Sequence, residues 1–251
     1  MGQDANSQAS DFWRDSPRGR YLMAWEARQF DLLVSDIFGF HALQIGLEGW
    51  DLLRANRMSM RLHCANGADL KGVDVCTSAE ELPFASQSLD MVLLPHVLEF
   101  SPHPHQVLRE VERVLMPEGQ LLISGFNPYS LWGIRRSLAG NLGEMPWEGQ
   151  YLSALRVKDW LSLLGFEHRE LSFGCFAPPV ASEVWLRRWS FMDSIGCRGW
   201  PVAGAVYILH AVKRVAGMRL ILPGWRARRS RQKAMLPVAH RQKASNNPWN
   251  K

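Results

Sequence analysis

Residues 41–53 read HALQIGLEGWDLL, a short apolar run from Ala42 to Ile45 that feeds Gly46 and then Gly49. Glycine has no Cβ, so such a loop can turn through left-handed backbone and let a ligand approach the main chain. Strand, glycine loop and helix in that order outline a nucleotide site. The same loop carries Leu47, Glu48 and Trp50, and it lacks the Gly-x-Gly-x-x-Gly spacing of a dinucleotide dehydrogenase. A second set of chemically capable residues, His96, Glu99 and Asn127, follows two apolar runs at 91–95 and 121–125. Loops beyond the carboxyl ends of such strands receive ligands in α/β folds. An imidazole there titrates near neutral pH and suits a general base, although a loop histidine without chemical duty looks the same. His103 and His105 stand two apart with no acid or cysteine pattern beside them, and Cys64, Cys76, Cys175 and Cys197 form no C-x-x-C pair. No metal site is expected from either group.

These residues need elements to position them. Ser16-Pro17 is a helix start, a capping residue followed by proline at the first helical position. Met23, Ala27, Phe30, Val34 and Ile37 then recur at steps of four and three, one face of an amphipathic helix that Gly39 ends. HALQIG follows as a buried strand. Residues 50–57 fit a helix, 58–64 a weak strand, NGADLKG (66–72) a turn and VDVC (73–76) a strand. MVLLP (91–95) reads as a strand buried on both faces. A helix with Val107, Leu108, Val111, Val114 and Leu115 on one stripe follows, then a turn at MPEG (116–119) and a buried strand at LLISG (121–125). Val157, Trp160, Leu161 and Leu164 form another helical stripe, stopped by Gly165. A strand at 166–176, a helix within 180–193 and a last strand at 203–212 complete the alternation. Strands alternating with helices imply a mostly parallel sheet, and two late strands around 177–202 add an antiparallel edge.

The bulk numbers fit one large globular domain with extensions: 251 residues, 47 % hydrophobic and 21 % charged. The formal net charge of +5 conceals an asymmetry. Residues 194–251 hold 12 Lys+Arg and no acid, whereas residues 1–193 hold 17 Lys+Arg against 24 Asp+Glu. The chain therefore reads as a disordered N-terminus over 1–15, a domain over 16–213 and a basic extension over 214–251. That extension mixes Arg with Leu, Ile and Trp, a composition suited to an anionic surface, RNA or membrane, and equally to a solvated tail. The polar, acidic start is no secretory signal, and no apolar run reaches the ~18 residues needed to span a bilayer. With cysteines so sparse and unpaired, a reduced, cytoplasmic protein is expected.

The stretch 78–125 is the most specific. It shows Leu82-Pro83-Phe84, Ser88-Leu89-Asp90, Leu108-Arg109-Glu110, Arg113-Val114-Leu115 and Pro117-Glu118-Gly119 in order. In that order and spacing it resembles the central part of the class I S-adenosylmethionine-dependent methyltransferases, in particular the branch acting on small molecules. The resemblance implies a Rossmann-like α/β fold with a seven-stranded, mostly parallel sheet, an antiparallel edge and helices on both faces. It implies S-adenosyl-L-methionine as cofactor and a small-molecule acceptor, with no metal. It places cofactor contacts at Gly46, Glu48 and Gly49 after the first strand, Asn66 after the second, Ser78 and Ala79 in the loop after the third, and Leu94 on the fourth. The sequence departs from the family pattern at each charged contact. Gln44 stands at the acid that opens the glycine run, and Glu48 and Trp50 occupy glycine positions; Glu48 could instead meet the ligand's ammonium group. Asn66 stands near the ribose-binding acid, and Ser78 at the acid that receives the adenine amino group. Asp74 lies too close to Ala79 for a helix to intervene, and so belongs with the third strand.

Methyl transfer asks chiefly for in-line positioning, and a base only where the nucleophile must lose a proton. His96 is the candidate base. Two other readings compete with an active enzyme. One is a methyltransferase-fold binding or scaffold protein whose cofactor site has eroded. The other is an RNA- or anionic-membrane-binding protein that works through its basic tail. Oligomeric state is not legible.

Overall fold

The computed structural model describes residues 15–66, 72–139, 149–189 and 191–215. The expectations for residues 1–14, for most of the turn at 66–72 and for the tail beyond Val215 lie outside the described residues. The first helix, α1 (Pro17–Ser35), begins as the sequence requires: Ser16 Oγ accepts from Gly19 N at 2.8 Å, and proline follows the cap. Its buried face carries Leu22, Met23, Ala27, Phe30 and Val34, and also Glu26.

The strands are β1 (His41–Ile45), β2 (Met60–Ala65), β3 (Val75–Cys76), β4 (Leu89–Pro95), β5 (Leu115–Phe126), β6 (Phe166–Gly174) and β7 (Val206–Lys213). They form one sheet in the order β3-β2-β1-β4-β5-β7-β6. All neighbours from β3 to β5 run parallel, while β7 runs antiparallel between β5 and β6. The antiparallel strand thus sits one place in from the edge. The helices are α2 (Pro104–Val114), α3 (Leu131–Ala139), α4 (Ala154–Leu163), α5 (Glu183–Arg188) and α6 (Phe191–Gly199). Alternate residues of the central strands serve opposite layers. Met91, Leu93 and Leu122 pack with α1, and Val92, Leu94, Leu121 and Ile123 pack with α2 and α4.

Three expectations need correction. Residues 50–57 form no helix; 52–55 is turn, and the whole β1–β2 connection is irregular. Polar side chains there take the backbone groups a helix would use: Asp51 Oδ1 accepts from Leu53 N, and Asn56 Oδ1 from Met58 N. Asn56 Nδ2 also donates to Val34 O and Ile37 O, so the connection caps α1, and Leu52 and Leu53 pack into the α1 layer. The MPEG turn is real but lies inside β5. Leu115 pairs with Leu89 and Gln120 with Met91, so residues 116–119 bulge opposite Asp90 alone, with Glu118 at φ 65°. The helix expected within 180–193 is two helices, α5 and α6. Gly165, at φ +83°, ends the α4 turn as its sequence position predicts.

Candidate functional site

A cleft of about 230 Å³ opens beyond the carboxyl ends of β1 and β2. Gly46, Glu48, Gly49 and Asp51 line one side; His63, Cys64 and Ala65 line the other. The loop is shaped by left-handed backbone at Gly46 (φ +80°), Leu47 (φ 50°) and Gly49 (φ +80°). Gly46 N donates to Cys64 O at 2.8 Å, which ties the loop to β2. A Cβ at Gly46 would lie 3.1 Å from Val97 Cγ2, on top of the unfavourable φ.

Gln44 explains itself here. Its Nε2 donates to Gly46 O at 3.2 Å and Trp50 O at 2.6 Å, and its Oε1 accepts from Leu52 N at 2.9 Å. A carboxylate could not donate to two carbonyls, so an irregular connection of this shape selects the amide. Glu48 is half-buried on the cleft wall. Opposite it, His63 Nε2 lies 3.4 Å from Asp51 Oδ1, and Nδ1 lies 3.6 Å from Asp74 Oδ2. Asp74 N donates to His63 O and its Oδ2 accepts from His63 N, which fixes Asp74 against β2 just before β3. The His63 Nε2 atom is buried and has no hydrogen-bond partner among the described residues.

The other expected contacts are scattered. Asn66 is exposed at the end of β2. Ser78 and Ala79 are half-buried in the loop after β3, which Thr77 N ties to Ala65 O. Ser78 Oγ accepts from Glu80 N at 3.3 Å, a local turn bond. Leu94 is fully buried in the α2 layer, so its side chain is core and no wall of the cleft, because the period of the strand aims it there. The Leu82-Pro83-Phe84 turn is scaffold: Arg113 donates to Leu82 O and Phe84 O and pairs with Glu110.

His96 follows β4 at φ 54° and is almost wholly buried. Its Nε2 lies 2.7 Å from Glu26 Oε1 and its Nδ1 lies 2.9 Å from Glu99 Oε2. Burial alone would lower the imidazole's pKa, but the two carboxylates outweigh it and push it up to about 10. At neutral pH it is an imidazolium donating both protons, with neither nitrogen left to accept one. Ser124 Oγ donates to Glu26 Oε2 at 2.9 Å, and Phe126 N donates to Glu99 Oε1. The cluster therefore joins α1, β4 and β5. Asn127 is also engaged: Nδ2 donates to Val202 O and Gly204 O, and Oδ1 accepts from Tyr129 N. All three residues that the sequence set beyond strands β4 and β5 are there, and each is bonded within the protein.

Sequence reasoning missed four residues. Asp51 was hidden by the helix expected over 50–57, His63 by its place in the weak strand 58–64, and Glu26 by its place on an apolar stripe. Tyr151 lies in a segment without periodicity. Its ring stacks 5.0 Å from Phe126 beneath the Arg136 guanidinium, and its buried hydroxyl has no hydrogen-bond partner among the described residues. Burial, followed by the Glu99 charge, raises the Tyr151 pKa, so the phenol keeps its proton. Among the described residues no group of three or more His, Cys, Asp or Glu is placed to hold a metal ion, and no helix is long and apolar enough to cross a membrane.

Comparison with known proteins adds a sequence match and a fold match. A family model described as a methyltransferase domain matches residues 49–123, beginning inside the glycine loop at Gly49. The uncharacterized protein YafS of Escherichia coli (strain K12) is 35 % identical over 168 residues, 63 % of this chain and 66 % of that protein. The chain spans less than two thirds of the length of the first curated relatives it matches. Among solved structures, a chain of the complex containing the Haloferax volcanii Trm112 methyltransferase activator superposes with a TM-score of 0.62 at 14 % identity. It covers 86 % of this chain and 99 % of that one. A SAM dependent methyltransferase from Archaeoglobus fulgidus gives 0.57 at 17 % identity, covering 81 % and 97 %. At those identities the structural likeness speaks for the fold alone.

Proposed function

We propose, from the premise that this chain belongs to the class I S-adenosylmethionine-dependent methyltransferase family, that it binds S-adenosylmethionine in the cleft beyond β1 and β2 and methylates a small-molecule acceptor at the ends of β4 and β5. The observation that carries this reading is the cleft itself, formed beyond β1, the strand that borders the sheet's switch point, by a loop with two left-handed glycines. Its polar lining fits a cationic nucleoside that carries a free amino-acid arm. Glu48 offers a carboxylate to an ammonium group. Asp51 and His63 offer an acceptor and a ring nitrogen to ribose hydroxyls, the duty that a single acid beyond the second strand performs in relatives. To an adenine edge we assign the Ala79 amide and the Ser78 hydroxyl, in the loop after β3 that Thr77 N ties to Ala65 O. When bound, the cofactor supplies a methyl group on an already cationic sulfur.

The remaining work falls to positioning. His96, doubly donated to carboxylates, takes no proton from the acceptor; it fixes Glu99 and the turn after β4. Tyr151, a buried phenol with spare hydrogen-bonding capacity, orients the acceptor. A nucleophile that needs no histidine base, such as one already ionised at neutral pH, suits this arrangement.

Calorimetric titration with S-adenosylhomocysteine tests the reading. Saturable heat is expected, and ligand at a hundred times its Kd should stabilise the fold by about 2.7 kcal/mol. Gly46→Val, which forces a branched side chain onto a left-handed residue facing Val97, should abolish the heat. Absence of both heat and thermal shift at millimolar ligand would favour a scaffold that keeps the fold without the cofactor.

A further inference from the structure

The carboxyl end of the sheet is rimmed by large apolar side chains facing solvent. On α3, Leu131, Ile134 and Leu138 recur at steps of three and four, and are 44 %, 52 % and 84 % exposed. The opposite side of that helix is anchored: Trp132 is buried, and its Nε1 donates to Ala177 O. In the β6–β7 connection, Trp185, Phe191 and Trp200 are 49 %, 52 % and 70 % exposed. The two regions make one surface, because Arg135 Nη1 donates to Pro179 O at 2.7 Å and Asn127 Nδ2 donates to Val202 O at 2.7 Å. Both follow strands that end on the same side, since β6 and β5 each run antiparallel to β7.

Apolar exposure on this scale marks a surface that is covered in use. The charge beside it says by what. Residues 126–139 contain Arg135 and Arg136 and no acid, Arg187 and Arg188 close α5 against the single Glu183 of its first turn, and residues 194–215 hold no carboxylate side chain. Arg188 lies over the Trp185 ring, 5.6 Å from its centroid, so the cation and the indole share one spot on the surface. A short helix with an apolar face, arginines beside it and neighbouring tryptophans has the composition of an interfacial element, in which rings and aliphatic side chains enter the headgroup boundary and cations meet anionic lipid. RNA would gain from the charge but would have no use for Ile134, Leu138 and Phe191.

We propose that the face made by α3 and the β6–β7 connection docks on an anionic lipid bilayer. The acceptor is then a lipophilic molecule drawn from that bilayer; this second part rests on the methyltransferase reading, while the docking itself does not.

Cosedimentation of the full chain with vesicles tests it, using phosphatidylcholine alone and phosphatidylcholine with a third phosphatidylserine. The chain should pellet with the mixed vesicles and remain in the supernatant with the neutral ones. The variant Ile134→Ser/Leu138→Ser/Trp200→Ser should lose at least ten-fold in partitioning while its melting temperature is kept, because all three side chains face solvent. A variant that partitions like the parent would overturn the proposal and leave the basic tail as a purely electrostatic tether. Failure of the parent to bind, or displacement of both proteins equally by RNA, would do the same. Titration with S-adenosylhomocysteine in the absence of vesicles is read separately, so loss of docking and loss of cofactor binding are distinguishable.

Discussion

Between Glu26 and Glu99, the His96 imidazolium holds apart two carboxylates that the fold buries within reach of each other, and no second cation touches either in the bonds described above. Removing it leaves buried, unpaired charge, a loss of about 3–5 kcal/mol in comparable pairs. His96→Gln should therefore lower the urea midpoint strongly, and a midpoint within error of the parent would refute the pairing. The pH dependence has a definite sign. The folded imidazole titrates at about 10, above the roughly 6.5 of an unfolded histidine, so its contribution is complete below the lower value and fades as pH rises to the upper one. Between pH 7 and pH 10 the parent should lose stability more steeply than His96→Gln. Tyr151 is a contrasting case. Its hydroxyl is buried without a partner, so Tyr151→Phe should melt no lower than the parent and as much as about 1 kcal/mol more stably. A clear drop would reveal a bond to the phenol. Of these residues His96 and Glu99 were legible, because they follow an apolar run. Glu26 was not, since a carboxylate on an apolar helical stripe declares no partner seventy positions away.

The element that departs most from its sequence pattern is the β1–β2 connection. Eight residues that fit a helix became an irregular connection with a turn at 52–55, because Asp51, Asn56 and Gln44 bond the main chain locally and α1 covers the same layer. Tertiary packing decided the outcome over propensity, which local periodicity cannot report. The same bonds make Gln44 the stay of the glycine loop. Gln44→Glu keeps the size and the bond from Leu52 N, but turns two donations into a carboxylate facing the carbonyls of Gly46 and Trp50. It should cost about 1–3 kcal/mol per unsatisfied group in denaturant unfolding, and weaken S-adenosylhomocysteine binding in the same preparation. Unaltered stability would mean the loop is held by β2 alone. Three boundaries elsewhere were read well: Ser16-Pro17, the β4 run and Gly165 each mark one through chemistry that does not depend on distant residues.

At the scale of the molecule, alternating strands and helices announced a parallel α/β sheet, and the apolar runs at β4 and β5 announced its centre. The place of the last strand was not legible, because inserting β7 between β5 and β6 is decided by hydrogen bonds to residues eighty or more positions earlier. That insertion closes the structure. Lys213 at the end of β7 is buried, donates to Glu112 O and Leu115 O, and pairs with Glu112 at the carboxyl end of α2, where a cation also meets the helix dipole. Arg214 then pairs with Glu167 and Glu118. Among the described residues, every buried apolar residue of both layers precedes these contacts. A chain ending at Val215 should consequently unfold in one cooperative transition within a few degrees of the full protein. Nine basic residues and no acid lie beyond that point, so the formal net charge moves from +5 to −4. The shortened chain should then bind an anion exchanger at neutral pH where the full chain does not. A broad or much lower melt would show that residues 216–251 contribute to the core, and that the division into an acidic body and a basic extension is one of charge alone.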